Sequence, residues 1–209
     1  MRILVIDDTA VNLKSAQQTL SGHDVTVCAS YDEALNFLYH DTEVQKRAFG
    51  YQRDGLKTPY VKAMNETGIS YWDAVLCDLR MPAGRDALGG EGMKFIGQEV
   101  SVGWSLALVA VEYGAKYAAV VSDMNHHSHP SSAMLDRLKR HIFFVDQAKM
   151  LLTNHVSRVG ITGTEFTCTT CGGSRKDGTS KCWSCNGTGT NFTETGKDWS
   201  EILERLIKA

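Results

Sequence analysis

The sequence has no marked excess of charge of either sign and no long uninterrupted apolar run. Its 22 Lys and Arg residues against 24 Asp and Glu residues leave a formal charge of −2. A charge this small supplies no general attraction to nucleic acid or to an anionic membrane surface. The longest apolar stretch, residues 105–121, is interrupted by Glu112, Gly114 and Lys116. This excludes a membrane-spanning helix there, and we expect no membrane partner.

Signals for secretion and for disulfide formation are also scarce. The first apolar run is short and turns acidic at Asp7 and Asp8, so we expect no secretory signal. Of the six cysteines, Cys28 and Cys77 lie in apolar, strand-like runs, and the other four are grouped near the carboxyl terminus. This usage predicts a reduced, cytoplasmic protein.

The four grouped cysteines form two CxxC pairs, which are separated by ten residues. Each pair offers two sulfurs from one tight turn, and a short loop can bring the two pairs together around a tetrahedral Zn²⁺. Four thiolates leave no open coordination position, so the ion is expected to be structural. The predicted zinc ligands are Cys168, Cys171, Cys182 and Cys185.

A glycine-bearing turn follows each cysteine pair. The second, Cys-x-x-Cys-Asn-Gly-Thr-Gly over residues 182–189, resembles the repeats of the cysteine-rich region of DnaJ-type chaperones. The resemblance implies a zinc site but not chaperone activity. Between the pairs, Arg175, Lys176 and Lys181 with Trp183 form a small basic and aromatic tip. Three cations are few for nucleic-acid binding, and a solvated loop is the alternative.

Strands alternate with helices along most of the chain. Strand patterns occupy residues 2–6, 24–29, 72–78, 117–122 and 142–145, which predicts one α/β domain over residues 1–209 with a five-stranded parallel, doubly wound, flavodoxin-like sheet. A long helix is expected over residues 93–114, and a closing helix after Asp198. Two insertions are predicted: an irregular one at 39–70, with a turn at residues 53–55, and the zinc hairpin at 160–196.

Carboxylates follow two of these strands. Asp7 and Asp8 come after the first strand, Asp78 ends the third, and Ser122 ends the fourth. Functional groups of an open parallel sheet collect at the carboxyl ends of its strands. Clustered carboxylates repel one another, so such a pocket suits a hard cation such as Mg²⁺.

Two segments carry a family resemblance. The run Ile-Leu-Val-Ile-Asp-Asp at residues 3–8 and the run Asp-Ala-Val-Leu-Cys-Asp-Leu-Arg-Met-Pro at residues 73–82 together resemble a response-regulator receiver domain. The resemblance implies that Asp78 accepts a phosphoryl group. It implies that Asp7 and Asp8 hold Mg²⁺ with the backbone carbonyl of Arg80, and that Ser122 hydrogen-bonds the phosphoryl oxygens.

One expected receiver residue has no clear counterpart. Receivers usually carry a lysine at the end of the fifth strand, with an aromatic residue three positions earlier. If residues 142–145 are that strand, Phe143 is the aromatic residue and Asp146 takes the lysine position. An anion there would repel a phosphoryl group, and Lys149 in the following turn is a candidate substitute.

Three histidines, His126, His127 and His129, follow the fourth strand beside Pro130. They suit a second metal or a phosphohistidine-like site, a loop that caps the next helix, or one histidine that makes the pocket sensitive to pH. The sequence leaves these three readings open.

Three functions are compatible with the sequence. The first is a stand-alone receiver-like signalling or adaptor protein that acts through contacts with a protein such as a histidine kinase or a downstream target. The second is a degenerate receiver that binds its partner without phosphorylation. The third is a zinc-containing protein associated with nucleic acid. We expect no enzyme activity beyond phosphorylation and dephosphorylation of Asp78.

Overall fold

The computed structural model describes residues 1–39, 42–68, 72–85, 88–125, 129–138 and 141–209. The strands are β1 (Arg2–Ile6), β2 (Asp24–Cys28), β3 (Ala74–Asp78), β4 (Met81–Pro82), β5 (Glu99–Val100), β6 (Tyr117–Val121), β7 (Ile142–Val145), β8 (Ala148–Thr153), β9 (Arg158–Gly160), β10 (Glu165–Thr167), β11 (Lys176–Asp177), β12 (Ser180–Lys181), β13 (Thr190–Phe192) and β14 (Thr195–Lys197). The helices are α1 (Ala10–Thr19), α2 (Tyr31–Leu38), α3 (Thr42–Arg53), α4 (Pro59–Thr67), α5 (Gly103–Glu112), α6 (Pro130–Leu135) and α7 (Trp199–Lys208), with a 3₁₀ helix at Gly90–Phe95.

Six strands form the central sheet in the order β2-β1-β3-β6-β8-β7. The first five run parallel, and β7 pairs antiparallel with β8 at one edge. Four consecutive residues of β1, from Ile3 to Ile6, are completely buried, as expected for a parallel strand that is covered on both faces. The predicted α/β fold with a parallel sheet is confirmed, and the sheet has one antiparallel strand more than predicted.

The prediction that residues 142–145 form the fifth parallel strand is wrong. The chain reverses at Asp146, whose φ is 51°, and the fifth parallel strand is β8, which pairs with β6. The burial of the two strands explains the difference. β8 is almost entirely buried, whereas Phe144 of β7 is 69% exposed, so β8 fits the interior of the sheet and β7 its edge.

Helices cover both faces of the sheet. On one face, Ala16 and Leu20 of α1 pack with α7, and on the other, α2 and α5 contribute Leu38 and Leu106. The closing helix begins as predicted at Asp198, whose carboxylate accepts hydrogen bonds from the backbone N–H groups at 200 and 201. Its buried side chains are Trp199, Ile202, Leu203 and Leu206.

The insertion at 39–70 is helical where the structure describes it, so the prediction of an irregular segment is wrong. Helices α3 and α4 pack against each other through Val44, Ala48, Ala63 and Met64. The predicted turn is confirmed, because Gly55 lies between the helices with a φ of 80°. Residues 40, 41, 69 and 70 lie outside the described residues.

The predicted helix over 93–114 is shorter than expected and begins at Gly103. Strand β5 precedes it, because residues 99–100 pair antiparallel with β4. Gly103 lies directly against the end of β3: a Cβ atom there would stand 2.0 Å from the carbonyl oxygen of Asp78. Only glycine permits this approach, which fixes the start of α5 beside the carboxyl edge of the sheet.

Between β8 and α7 the chain forms a nested antiparallel hairpin. β9 pairs with β14 at its base, β10 with β13 above it, and β11 with β12 at its tip. None of the helices in the described ranges has the length and apolar character required to cross a bilayer.

Candidate functional site

The carboxyl edge of the sheet brings together the residues predicted from the sequence. Asp7 follows β1 and is fully buried. Asp8, next to it, is half-buried. Asp78 ends β3 with its side chain 14% exposed, and the buried Ser122 follows β6. The parallel order of β1, β3 and β6 makes these residues neighbours.

A buried lysine that the sequence analysis missed lies among these carboxylates. The Nζ atom of Lys197 is 2.6 Å from Asp7 Oδ2, 2.5 Å from Asp78 Oδ1 and 3.7 Å from Asp123 Oδ1. Its side chain is 1% exposed. The local signal was the run Thr-Gly-Lys-Asp-Trp at residues 195–199, where a lysine stands immediately before the cap of the closing helix.

The base of the hairpin determines the position of Lys197. β14 packs against α1 at Gly196, where a Cβ atom would lie 2.5 Å from Ser15 Cβ and 2.7 Å from the Val11 carbonyl oxygen. The backbone N–H of Lys197 then donates to Asn12 Oδ1 at 3.2 Å. This close approach directs the lysine side chain toward the sheet edge.

Asp7 is held by α1 as well as by the lysine. Asn12 Nδ2 lies 3.1 Å from both of its carboxylate oxygens, and the Thr9 backbone N–H donates to Oδ1 at 2.9 Å. The backbone carbonyl oxygen of Asn12 also accepts a hydrogen bond from the indole N–H of Trp199. Asn12 therefore links Asp7, Lys197 and the closing helix.

The pocket holds more carboxylates than cations. Burial raises the pKa of Asp78 to about 6; Lys197 opposes this shift and Asp7 adds to it. Burial disfavours the Lys197 ammonium, but Asp78, Asp7 and Asp123 outweigh that effect and raise the pKa of the lysine. Burial, Glu99 and Asp7 also raise the pKa of Asp8. The lysine therefore stays charged. The carboxylates still outnumber the cations, and this negative charge favours the binding of a further cation.

Asp123 forms an ion pair with an arginine that lies outside the pocket. Arg158 of β9 donates to Asp123 Oδ2 at 2.6 Å, and its guanidinium is oriented by the carbonyl and hydroxyl oxygens of Thr195 on β14. The hairpin base thus supplies two cations to this edge of the sheet, one buried and one at the rim.

Ser122 lies at the pocket with its side-chain hydroxyl, whereas Arg80 contacts Asp78 through its backbone. The Ser122 hydroxyl accepts the Met124 backbone N–H at 3.3 Å. The Arg80 backbone N–H donates to Asp78 Oδ2 at 3.2 Å. The Arg80 guanidinium turns away and donates to the Glu99 carbonyl oxygen at 3.2 Å.

Asp146 and Lys149 do not lie at this edge. Asp146 lies in the turn before β8, where it lines a cavity of about 440 Å³ with Gly114 and Lys116. Lys149 is in register with Tyr117, the first residue of β6, and so lies at the amino ends of the strands. The assignment of Asp146 to the lysine position was wrong because it depended on the wrong fifth strand.

Of the three histidines, the structure describes one. His129 precedes α6, and its Nδ1 atom accepts the Ser131 backbone N–H at 3.2 Å, which confirms the helix-capping reading for this residue. His126 and His127 lie outside the described residues.

The four predicted cysteines come together at the hairpin tip. Their sulfur atoms all lie within 4.8 Å of one another, and two of the pairs are 3.9 and 3.8 Å apart. Four sulfurs bound tetrahedrally to one Zn²⁺ are separated by about 3.8 Å, given a Zn–S bond of about 2.3 Å. In the described part of the chain, only these cysteines gather three or more ligand atoms in this way. The cluster could therefore hold a metal ion such as zinc.

The turns after the cysteines favour thiolates. Gly189, with a φ of 85°, directs its backbone N–H to Cys185 Sγ at 3.3 Å, and this positive φ is one that glycine adopts readily. The pKa shifts differ between the cysteines: a hydrogen bond from the Cys171 backbone is the largest cause that lowers the pKa of Cys168, to about 6. The pKa of Cys182 is raised to about 11, because the hydrogen bond from the Cys185 backbone lowers it less than burial and the neighbouring thiols raise it. The only buried hydrophobic cluster at the tip, among the described residues, consists of the cysteines themselves.

Comparisons of the chain with protein-family models, with curated proteins and with solved structures give no match. The fold and the two sites define an α/β protein with a parallel sheet, a buried lysine among carboxylates, and a four-cysteine cluster suited to a metal ion.

Proposed function

We propose that this protein is a receiver-like signalling or adaptor protein in which Asp78 accepts a phosphoryl group and Lys197 pairs with it. The observation that carries the proposal is the contact of 2.5 Å between Lys197 Nζ and Asp78 Oδ1 in a buried pocket. A buried ammonium beside a carboxylate nucleophile offers a fixed positive charge to an incoming phosphoryl oxygen.

The order of the sheet gives independent support. Its five parallel strands follow the sequence 2-1-3-4-5 when they are numbered by position in the chain, which is the flavodoxin-like order with its ligand site at the carboxyl ends of the strands. Asp7, Asp78 and Ser122 stand at those ends. Because fold alone does not establish function, the proposal depends on the chemistry of the pocket.

The chain's own residues can carry out the transfer. A carboxylate oxygen of Asp78 attacks the phosphorus of a phosphodonor; the new O–P bond forms as the bond to the leaving group breaks, and the leaving group departs with the bonding electrons. Lys197 pairs with one phosphoryl oxygen, and the Ser122 hydroxyl can donate to another. Asp7 keeps the lysine in place throughout.

The residues present also suit Mg²⁺, which would neutralise charge on the transferred group. Four carboxylates, those of Asp7, Asp8, Asp78 and Asp123, share the pocket region with Lys197, and Asp8 has a raised pKa because burial and neighbouring acids disfavour its charge. Mg²⁺ retains several waters and needs only one or two protein carboxylates. Asp8 and Asp78 are the residues we assign to it, with the Arg80 carbonyl as a third ligand.

We assign Zn²⁺ to the cysteine cluster, with a structural role. Four thiolates complete its coordination, and the tip has no other hydrophobic core that could fold it. The degenerate, phosphorylation-independent reading depended on Asp146 in the lysine position. Since Lys197 lies in the pocket and Asp146 does not, the repulsion by Asp146 that favoured that reading does not act at the pocket.

The test is intact-protein mass spectrometry after incubation with acetyl phosphate and Mg²⁺. We expect a mass gain of one phosphoryl group. The gain should disappear when the protein is treated with acid, and it should be absent in Asp78→Asn. A protein that gains no phosphoryl group, or an Asp78→Asn variant that gains one equally, would overturn the proposal.

A further inference from the structure

The hairpin tip over residues 168–189 presents an aromatic side chain to solvent. Trp183 is 78% exposed, whereas Trp72 and Trp199 are buried. It stands between Cys182 and Cys185, two members of the cysteine cluster whose sulfur atoms lie within 4.8 Å of one another, so the cluster constrains its backbone on both sides. A large indole that is rigidly held and left in solvent is typical of a binding surface.

Three cations lie in the same tip as this indole, in an arrangement that is unfavourable for the isolated protein. Lys176 and Lys181 are direct partners across the β11–β12 ladder, and like charges directly opposite each other destabilise an antiparallel pair. Arg175 precedes them with a φ of 69°, a left-handed conformation that is strained for a residue other than glycine. Strain and repulsion retained in one small segment indicate a functional site.

The hairpin backbone holds these cations in the same small segment as Trp183. The Cys182 backbone N–H donates to the Arg175 carbonyl oxygen at 3.1 Å, and Lys181 directly precedes the same cysteine. The Lys181 side chain lies over Gly187, where a Cβ atom would approach its Cγ to 2.6 Å. All three cations are exposed.

The exposed charged side chains of the tip are mostly cationic. Arg175, Lys176, Lys181 and Asp177 together carry a charge of +2. One Zn²⁺ with four thiolates adds −2, but this charge lies on the cysteine cluster, in which Cys168, Cys182 and Cys185 are buried. The cations at the surface of the tip therefore attract an anionic partner locally. An exposed aromatic ring beside cations suits a partner that offers both phosphates and stackable bases.

We propose that the tip binds single-stranded nucleic acid, with one base stacked on Trp183 and phosphates paired with Arg175, Lys176 and Lys181. The proposal does not depend on phosphorylation of Asp78. The cysteine cluster holds the platform, and no base-specific contact is required, so binding should tolerate different sequences.

Fluorescence anisotropy of the full, zinc-loaded chain with a labelled oligothymidine of about 12 nucleotides tests this proposal. Three phosphate contacts predict a slope of about −2 for the logarithm of the affinity against that of the salt concentration. Affinity should therefore fall about 20-fold between about 50 and 200 mM salt. Trp183→Ala should weaken binding by about 5- to 150-fold, and Trp183→Phe should retain much of it.

Matched control variants distinguish binding at the tip from nonspecific attraction by cations elsewhere on the chain. Neutralising Arg175, Lys176 and Lys181 to Gln should abolish binding. Neutralising three exposed cations of the helical insertion, Lys46, Arg53 and Lys57, should leave it unchanged. Asp78→Asn should bind equally well, so failure here is distinguishable from failure of the receiver proposal. Zinc content measured on every variant shows that the tip remains folded.

Three results would overturn the proposal: affinity that is independent of salt, a Trp183→Ala variant that binds as tightly as the parent, or displacement of the oligonucleotide by polyglutamate at equal charge. The last result would indicate an acidic protein as the partner of the tip.

Discussion

Lys197 and Asp78 are 119 residues apart in sequence, and the lysine ammonium lies 2.5 Å from the aspartate carboxylate. The contact exists because β14 returns from the hairpin and packs against α1 before the closing helix begins. The residue that completes the carboxylate pocket is thus the last residue of β14, at the base of the hairpin, and does not belong to the strand beside the pocket.

Removing this lysine should destabilise the fold and greatly slow phosphorylation. Lys197→Met leaves the buried Asp7 carboxylate and the Asp78 carboxylate without their cation, which costs about 3–5 kcal/mol when one partner of a buried pair is removed. Urea unfolding measures this loss. Lys149→Met is the matched control, since Lys149 lies at the opposite end of the sheet; an equal loss in both variants would contradict the assigned role.

Gly196→Ala should destabilise the protein, whereas the same substitution at Gly50 should not. The added methyl group would lie 2.5 Å from Ser15 Cβ and 2.7 Å from the Val11 carbonyl oxygen, so β14 must shift from α1, at a cost of about 1–3 kcal/mol. Phosphorylation should slow as Lys197 moves. Gly50→Ala, in helix α3 with open space around it, should instead stabilise the protein by about 0.5–1 kcal/mol. A neutral Gly196→Ala would show that the strand does not depend on this contact.

The phosphorylation rate should depend on the ionisation of Asp78. Its pKa is raised from the ordinary value to about 6, chiefly by burial, and only the carboxylate is nucleophilic. The initial rate with acetyl phosphate should therefore rise as pH increases through about 6 and level off above it. Asp123→Asn removes a neighbouring charge that raises this pKa, so the midpoint should move to lower pH. A flat profile between pH 5 and 8 would be inconsistent with Asp78 as the nucleophile.

Much of the pocket was predictable because its residues occur in short local patterns. Asp7 and Asp78 directly follow apolar strand runs, and the sheet places such positions together. The cysteine cluster was predictable for the same reason, since each CxxC pair lies within one turn of the chain.

Lys197 was not predictable in the same way, because its position depends on tertiary packing. A receiver-like lysine was expected at the end of the fifth strand, but the hairpin separates Thr153, the last residue of β8, from Lys197. The identity of the fifth strand was also uncertain from the sequence, since the runs in β7 and β8 are both apolar and differ mainly in burial. The helical insertion was missed because only a narrow stripe, including Val44 and Ala48, is buried.

The metal content of the chain should be one Zn²⁺, held by the tip. Cys182→Ser removes a completely buried ligand and should release the ion, while Cys28→Ala, in the sheet, should not. Hydrogen exchange should show that the Cys168 amide, which donates to the Gly189 carbonyl oxygen at 3.0 Å, loses protection when zinc is removed. Retention of zinc by Cys182→Ser would contradict four-cysteine coordination.

The most direct measurement of the central claim is a time course of intact mass for the parent chain, Asp78→Asn and Lys197→Met, each incubated with acetyl phosphate and Mg²⁺. The account predicts one acid-labile phosphoryl group on the parent, none on Asp78→Asn, and a greatly reduced rate for a folded Lys197→Met. Equal labelling of the parent and Asp78→Asn would contradict it.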